Sequence, residues 1–147
     1  MKKYLAIVFL SIIAFANAGY LTNQAYYLKK TPISERPMSF CDINQTFSCT
    51  TVLDSPYAEV FGLPFPLIAL FVYPVIAIIA ILGYRSGSTN HFKYLFAMGI
   101  GGALFNSFFI YREYMYIGAY CYLCLICSAI IVTIAIISAA GIWGRKA

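Results

Sequence analysis

The sequence predicts an all-α membrane protein, a bundle of four transmembrane helices with an extracytoplasmic loop that contains short helices. Hydrophobic residues make up 62% of the chain and charged residues 10%, and the mean hydropathy is +0.80. This composition lies far outside the range of soluble domains. Four uncharged stretches each approach the length of about 20 residues that a helix needs to cross the hydrocarbon. They cover approximately residues 4–28, 63–82, 94–111 and 120–142.

The first stretch follows Lys2 and Lys3 and has two interpretations. Residues 1–18 have the form of a signal peptide, because a basic start and an apolar core lead to an Ala-x-Ala cleavage site at residues 16–18. The uncharged run continues to Leu28, however, and is longer than a signal core requires. We therefore expect it to be retained as the first transmembrane helix.

Residues 29–62 form the one long connection between the predicted helices. A structureless segment of this length would be unusual in a small protein unless it has a function. Ser48 is placed to cap a short helix that begins at Cys49, and Ser55 before Pro56 has the form of a second N-cap. We expect this loop to carry short helices and to form the functional cap of the bundle.

The third stretch combines small residues with one strongly polar side chain. Gly99 and Ala103 have the spacing that permits close contact between transmembrane helices. Asn106 is expected either to form an interhelical hydrogen bond or to contact a ligand.

The distribution of charge predicts the orientation of the chain. With both termini in the cytoplasm, the cytoplasmic side carries only basic residues, namely Lys2, Lys3, Arg85, Lys93, Arg145 and Lys146. The outer side then carries all the acids, namely Glu35, Asp42, Asp54, Glu59 and Glu113. The positive-inside rule favours this arrangement. The net charge of +5 therefore reflects membrane topology, and no nucleic-acid partner is expected.

Four cysteines form two pairs, both on the predicted outer side. Cys121 and Cys124 form a Cys-x-x-Cys pair at the start of the last helix, which is a recurrent redox motif, and Cys41 and Cys49 lie in the loop. Three pairings of these thiols are possible. One dithiol lies in a solvent-exposed loop and the other lies at the outer end of a transmembrane helix. Together they can pass electrons from a soluble thiol to a lipid-soluble acceptor. Cys127, one turn further on, is expected to be a packing residue.

Two other functions stay open from the cysteines alone. Four thiols can bind zinc, although Cys41 and Cys49 are widely spaced and an oxidising compartment disfavours free thiolates. The chain can also be a non-enzymatic membrane protein whose cysteines form structural disulfides.

The order of these features resembles the vitamin K epoxide reductase family. The resemblance rests on the nine-residue segment from Cys41 to Cys49, on Ser55 six residues later, on Phe61-Gly62 before the second helix, and on the Cys-x-x-Cys pair that opens the last helix. It implies a single family-like membrane domain over residues 1–147. In that domain the four helices enclose a quinone and the loop covers it.

The resemblance also implies a role for each site residue. Cys41 exchanges with a protein disulfide carrier, Cys49 passes oxidation between the loop and Cys121, and Cys124 lies next to the quinone. Ser55 supports the loop without taking part in the chemistry. The candidates for contact with the quinone are Cys124, Asn106, Tyr120 and Tyr122. No metal site is expected.

The implied function is a membrane thiol oxidoreductase that generates disulfides in the bacterial inner membrane, as a stand-alone protein with a DsbB-like role. Electrons pass from a separate thioredoxin-fold, DsbA-like carrier to ubiquinone or menaquinone. The mammalian epoxide-reducing members are expected to have an Asn near the start of the second helix and a Tyr four positions after the last motif cysteine. This chain has Leu63–Leu67 and Ser128 at those places. The resemblance therefore implies quinone reduction rather than epoxide reduction.

Overall fold

The computed structural model describes residues 1–144. Within this range the α-helices are α1 (Lys2–Lys30), α2 (Cys49–Asp54), α3 (Phe65–Ser86), α4 (Asn90–Arg112) and α5 (Tyr122–Trp143). The other elements are 3₁₀ turns at Ile33–Glu35 and Pro56–Ala58, a π-helical turn at Glu113–Ile117, and the antiparallel strands β1 (Glu59–Val60) and β2 (Leu63–Pro64). Arg145 and Lys146, which we expected at the cytoplasmic face, lie outside the described residues.

Within residues 1–144, four helices are long and apolar enough to cross a membrane, which confirms the predicted fold class. They are α1, α3, α4 continued through the π-helical turn, and α5. Large apolar side chains project from their outer surfaces, for example Phe9, Phe71, Leu104 and Ile136. Such a surface is suited to lipid rather than water. The chain is a multi-pass membrane protein.

The helices pack as two close pairs. α1 lies mainly against α3, α4 lies mainly against α5, and α1 also contacts α5. Gly99 marks the place where α4 meets α5, because a Cβ added to Gly99 would lie 2.9 Å from the Cβ of Ala135 and 3.0 Å from its Cα. The close helix contact that the sequence predicted at Gly99 is therefore confirmed.

Buried side chains form two clusters along the bundle. One cluster, which includes Ile7, Ile76, Leu95 and Ile134, joins the four long helices. The other lies beneath residues 31–64, the segment between α1 and α3 that we call the lid. It contains apolar residues of α1 and α2 together with Cys41, Cys49, Cys121 and Cys124. Both cysteine pairs therefore lie in one cluster from which water is excluded.

Two ion pairs involve the lid, of which one joins it to α1 and the other lies within it. Lys29 at the end of α1 pairs with Glu59 at 2.5 Å, and Arg36 pairs with Asp54 of α2 at 3.0 Å. Arg36 also donates to the carbonyl of Leu28 at 2.5 Å. Partly exposed pairs of this kind contribute at most about 1 kcal/mol each. The buried cluster, rather than these pairs, therefore holds most of the lid in place.

Two serines cap the short helices of the lid. The Ser48 hydroxyl accepts a hydrogen bond from the backbone N–H of Thr51 at 3.2 Å and caps α2. The Ser55 hydroxyl accepts from the N–H of Tyr57 at 3.2 Å, and Pro56 occupies the first position of the 3₁₀ turn. Both predicted caps are confirmed. Ser55 holds the turn that follows α2.

Candidate redox site

The lid contains a disulfide between Cys41 and Cys49, whose Cα atoms are 5.7 Å apart. Both residues are almost fully buried, with exposed fractions of 2% and 1%. Cys121, Cys124 and Cys127 are free, buried thiols. In this structure the two lid cysteines are therefore joined to each other, and the two cysteines of the helix pair are not.

The helix pair meets the lid disulfide through one sulfur. The Sγ atom of Cys121 lies 3.2 Å from the Sγ atom of Cys49, and Cys121 is fully buried. Exchange between a dithiol and a disulfide needs one sulfur to reach the other, with an attacking thiolate and a leaving thiolate. The sulfurs of Cys49 and Cys121 are close enough for such an exchange. Cys41 is the disulfide partner of Cys49.

A short backbone ladder places these two sulfurs. The N–H of Ser48 donates to the carbonyl of Tyr120 at 3.0 Å, and the N–H of Tyr120 donates to the carbonyl of Thr46 at 2.7 Å. Phe47 and Tyr120 form a parallel bridge, and their rings also approach each other, with 6.1 Å between centroids. Backbone hydrogen bonds therefore hold the lid against the segment that precedes α5.

Cys121 and Cys124 lie at the amino end of α5. Cys121 is the N-cap residue, and its Sγ accepts a hydrogen bond from the N–H of Cys124 at 3.4 Å. Unpaired N–H groups and the helix dipole at this end stabilise a negative sulfur. Both cysteines of the pair therefore lie at the first turn of α5, with the sulfur of Cys121 hydrogen-bonded to the backbone N–H of Cys124.

Asp42 fixes the loop between the two lid cysteines. Its carboxylate accepts hydrogen bonds from the hydroxyl of Ser48 at 2.9 Å, from the N–H and hydroxyl of Thr50 at 3.0 and 2.5 Å, and from the N–H of Ser39 at 3.2 Å. Burial raises the pKa of Asp42, but the hydrogen bonds from Thr50, Ser48 and Ser39 outweigh it and hold the pKa below its usual value. Sequence reasoning assigned Asp42 no role, although its position beside Cys41 and ahead of two hydroxyl residues was a usable signal.

Cys127 takes part in contacts among three helices. Asn17 of α1 donates to the Sγ of Cys127 at 3.1 Å and to the carbonyl of Leu123 at 2.9 Å. Tyr73 of α3 donates to the carbonyl of Cys127 at 3.2 Å. Cys127 is 6% exposed and has the packing role that the sequence predicted.

Asn106 lines a cavity of about 40 Å³ among α3, α4 and α5. Its neighbours around the cavity include Phe65, Tyr73 and Phe105. The interhelical hydrogen bond that we expected is not formed, since the Asn106 amide has no hydrogen-bond partner among residues 1–144. The first of the two alternatives expected for Asn106 is therefore not found, because the amide borders open space instead of a neighbouring helix. The second alternative, contact with a ligand, stays a prediction.

The two tyrosine candidates lie elsewhere. Tyr120 precedes α5 and belongs to the backbone ladder with Phe47, and Tyr122 begins α5 with 47% of its surface exposed. Neither tyrosine lines the cavity beside Asn106. The structure therefore does not bring the expected quinone contacts together around one space.

Glu113 is a site residue that sequence reasoning missed. It begins the π-helical turn after α4 and is only 2% exposed. Its Oε2 accepts a hydrogen bond from the N–H of Cys121 at 3.4 Å. Its Oε1 is buried without a hydrogen-bond partner in residues 1–144. The signal in the sequence was an acid at the end of an uncharged stretch, eight positions before Cys121.

A metal centre was the alternative that four cysteines left open. Within the described part of the chain, no group of three or more His, Cys, Asp or Glu side chains is arranged to hold a metal ion. Metal ligation requires deprotonated thiolates, and two of these cysteines are joined in the lid disulfide.

Comparison with known proteins gives one result at the level of a family. The model described as the vitamin K epoxide reductase family matches residues 5–139. The matched range includes the lid and all the cysteines. No curated protein matches the chain.

Proposed function

This chain belongs to the vitamin K epoxide reductase family, and from that premise we propose that it generates disulfides by passing electrons from a thioredoxin-fold protein to a membrane quinone. Members of the family are membrane oxidoreductases that act on thiols and disulfides. The observation that carries the proposal is the distance of 3.2 Å between the sulfurs of Cys49 and Cys121. It links the lid pair to the pair at the amino end of α5.

The first exchange takes place at the lid. A thiolate of the carrier attacks Cys41, the bond between Cys41 and Cys49 breaks, and the second carrier thiol then releases the oxidised carrier. Cys41 and Cys49 are left as thiols. Because Cys41 is 2% exposed, the lid must loosen around it before a carrier can reach the sulfur.

The second exchange is internal. The thiolate of Cys49 attacks Cys121 in a Cys121–Cys124 disulfide, and Cys124 leaves. Cys41 then attacks Cys49 and frees Cys121. The products are an oxidised lid pair and a reduced helix pair, which is the bonding pattern of the cysteines in this structure.

The cavity beside Asn106 is our candidate for the quinone headgroup. Its aromatic walls and single amide donor fit a flat ring that carries carbonyl acceptors. At about 40 Å³ it is smaller than the roughly 150 Å³ that holds a benzene ring, so its side chains must move to admit one. Phe65 and Phe105 border this cavity and also pack in the cluster that contains Cys124.

A quinone in this place supplies a two-electron acceptor for the helix pair. Thioredoxin-fold oxidants lie near about −120 mV, and an acceptor more oxidising than this draws the exchange forward, because each 30 mV is worth about 1.4 kcal/mol for two electrons. The protein's own part is to hold the sulfurs within reach and to keep water away. We further propose ubiquinone or menaquinone as the acceptor.

We also propose a bacterial inner-membrane location with both termini in the cytoplasm and the lid outside. The support is the positive-inside pattern of the basic residues. In this orientation both cysteine pairs lie on the side where disulfides persist.

Reconstitution tests the function. The purified chain is mixed with ubiquinone or menaquinone and a reduced thioredoxin-fold protein, and the absorbance of the quinone is followed while the carrier thiols are counted. We expect one quinone reduced for each carrier disulfide formed. Cys127→Ala serves as the control, because Cys127 lies outside the proposed relay. Unchanged quinone, with wild-type protein that binds about one zinc per chain, would contradict the proposal and favour the metal-binding alternative.

A further inference from the structure

Glu113 has a placement that packing does not explain. It is 2% exposed, one carboxyl oxygen contacts the backbone of Cys121, and the other has no hydrogen-bond partner in the described chain. Leaving a buried polar oxygen unsatisfied costs about 1 to 3 kcal/mol, and more when the group is charged. Glu113 therefore lowers the stability of the fold at a place next to the reacting sulfurs, which indicates a role in the reaction.

No cation of the described chain forms an ion pair with Glu113, since the pairs within residues 1–144 join Lys29 to Glu59 and Arg36 to Asp54. The guanidinium of Arg112 lies over the ring of Tyr57, 5.4 Å from its centroid. The titratable or charged groups on Glu113's own turn and on the elements that contact it form one set. They are Tyr114 and Tyr116 of the turn itself; Cys49, Asp54 and Tyr57 of the lid; His91, Lys93, Tyr94, Tyr111 and Arg112 of α4; and Cys121, Tyr122 and Cys124 at the start of α5. Cys49, Cys121 and Cys124 are the members of this set that exchange protons in the proposed reaction.

We propose that Glu113 carries protons between the lid sulfurs and the helix sulfurs during the internal exchange. The inference rests on the proposed function, because it assumes that Cys49 and Cys121 exchange. It assigns Glu113 a part in proton transfer and none in electron transfer.

The exchange must move protons as well as electrons. The S–S bond between Cys121 and Cys124 breaks, the S–S bond between Cys41 and Cys49 forms, and two electrons pass from the lid sulfurs to the helix sulfurs. Two thiol protons must follow. The Glu113 carboxylate takes the proton from the attacking thiol of Cys49 and returns it to the leaving thiolate. The proton of Cys41 follows by the same route in the resolving step.

Electrostatics favours such a carrier in this cluster. A thiolate that formed beside an ionised carboxylate would place two negative charges in a buried region, where like charges repel strongly. If the carboxylate takes the thiol proton as the thiolate forms, the cluster keeps a single negative charge throughout. The amino end of α5 then needs to stabilise only that one charge.

The test uses the full chain without quinone. Protein with both disulfides formed receives one equivalent of a small dithiol, and samples are quenched in acid at set times across a range of pH. Alkylation and mass spectrometry then give the rate at which thiols appear at Cys121 and Cys124. We expect Glu113→Gln to slow this step by at least about 100-fold at neutral pH, the lower end of what a positioned acid or base contributes.

The pH profile separates proton transfer from a structural role. In the wild type the rate should change through the titration of one carboxyl group, and this inflection should be missing in Glu113→Gln and return, shifted, in Glu113→Asp. Glu35→Gln is the matched control, because Glu35 is an exposed lid acid. A Glu113→Gln rate equal to wild type, or one reduced by the same factor at every pH, would overturn the proposal.

A second measurement covers the case in which Glu113→Gln fails to fold. In a variant with Glu35→Gln and Glu59→Gln, Glu113 is the sole glutamate of the chain. With ¹³C-labelled glutamate, the infrared difference spectrum between the oxidised and partly reduced protein should show a carboxyl band that changes as the exchange proceeds. An unchanged carboxyl band would count against Glu113 as the carrier. If the wild type exchanges normally but reduces no quinone, the proposed function fails and the role of Glu113 stands.

Discussion

The backbone N–H of Ser48 donates to the carbonyl of Tyr120 at 3.0 Å, and the residue that follows each of them is a cysteine. Together with the bond from the N–H of Tyr120 to the carbonyl of Thr46, this hydrogen bond sets the register between the lid and the segment before α5. It brings together two sulfurs that are 72 positions apart in the sequence. The predictions below test this arrangement and the contacts that support it.

Removal of Cys41 should trap the internal exchange halfway. In Cys41→Ala, Cys49 can still attack Cys121 when the helix pair is oxidised, but no lid thiol remains to resolve the product. We expect a disulfide between Cys49 and Cys121 to accumulate, detected by non-reducing peptide mapping. Cys127→Ala should show no such species. A trapped bond from Cys49 to Cys124 instead would contradict the assigned order of the sulfurs.

Asp42 should make the lid sensitive to acid. Because its pKa is held below the usual value, its stabilising contribution is full above the ordinary aspartate pKa of about 4 and is lost as the pH falls through the lowered value. We expect amide exchange in residues 39–50, corrected for intrinsic rates, to speed up only in that acid range.

The variant Asp42→Asn gives the matching comparison for the lid. The neutral amide is a weaker acceptor, so protection should fall by an amount on the order of 1 kcal/mol at neutral pH, and the acid transition should disappear. The control Glu35→Gln should keep the wild-type profile. An acid transition that persists in Asp42→Asn would assign it to another group.

Gly99 and Gly101 offer a matched pair of substitutions on α4. A Cβ at Gly99 meets the backbone of Ala135 at 3.0 Å, whereas a Cβ at Gly101 meets nothing within 4 Å. We expect Gly99→Ala to lower the free energy of unfolding by about 1 to 3 kcal/mol through overpacking, and Gly101→Ala to leave it unchanged or slightly higher. Unfolding in mixed detergent and denaturing surfactant measures both. Equal effects would mean that α4 and α5 are not in such close contact.

Asn106 should matter for the quinone and not for the carrier. If its amide holds a quinone carbonyl, Asn106→Leu loses one hydrogen bond, worth about 0.5 to 1.5 kcal/mol. The KM for quinone should then rise by about two- to twelvefold, with the KM for the carrier unchanged. Ser107→Ala is the control, since Ser107 is exposed and bonds only to its own helix. An unchanged KM for quinone in Asn106→Leu would move the binding site away from this cavity.

Several features followed from the sequence because their causes are local. A bilayer requires long uncharged helices, so the four stretches predicted four membrane helices. Ser48 and Ser55 were recognisable as caps because capping depends on residues two or three positions away. The small residue Gly99 predicted a close helix contact, which the structure confirms.

Other features could not be predicted because they depend on residues far apart in the chain. Asn106 borders a cavity instead of bonding to a helix, since the packing of three helices decides what lies beside it. In the sequence, Glu113 is one of several acids on the predicted outer side of the membrane. Its burial against Cys121 is a result of the tertiary fold. The hydrogen bonds that Ser48 and Thr50 donate to Asp42 form only when the lid folds so that these residues meet.

By itself, the sequence determined that this is a four-helix membrane protein with two cysteine pairs, because hydropathy and residue spacing are properties of short segments. The family resemblance implied that Cys49 meets Cys121, whereas the tertiary structure gives the distance of 3.2 Å between their sulfurs and decides which acid lies beside them. Those relationships depend on segments that meet only when the lid packs onto the bundle and its backbone pairs with the residues before α5.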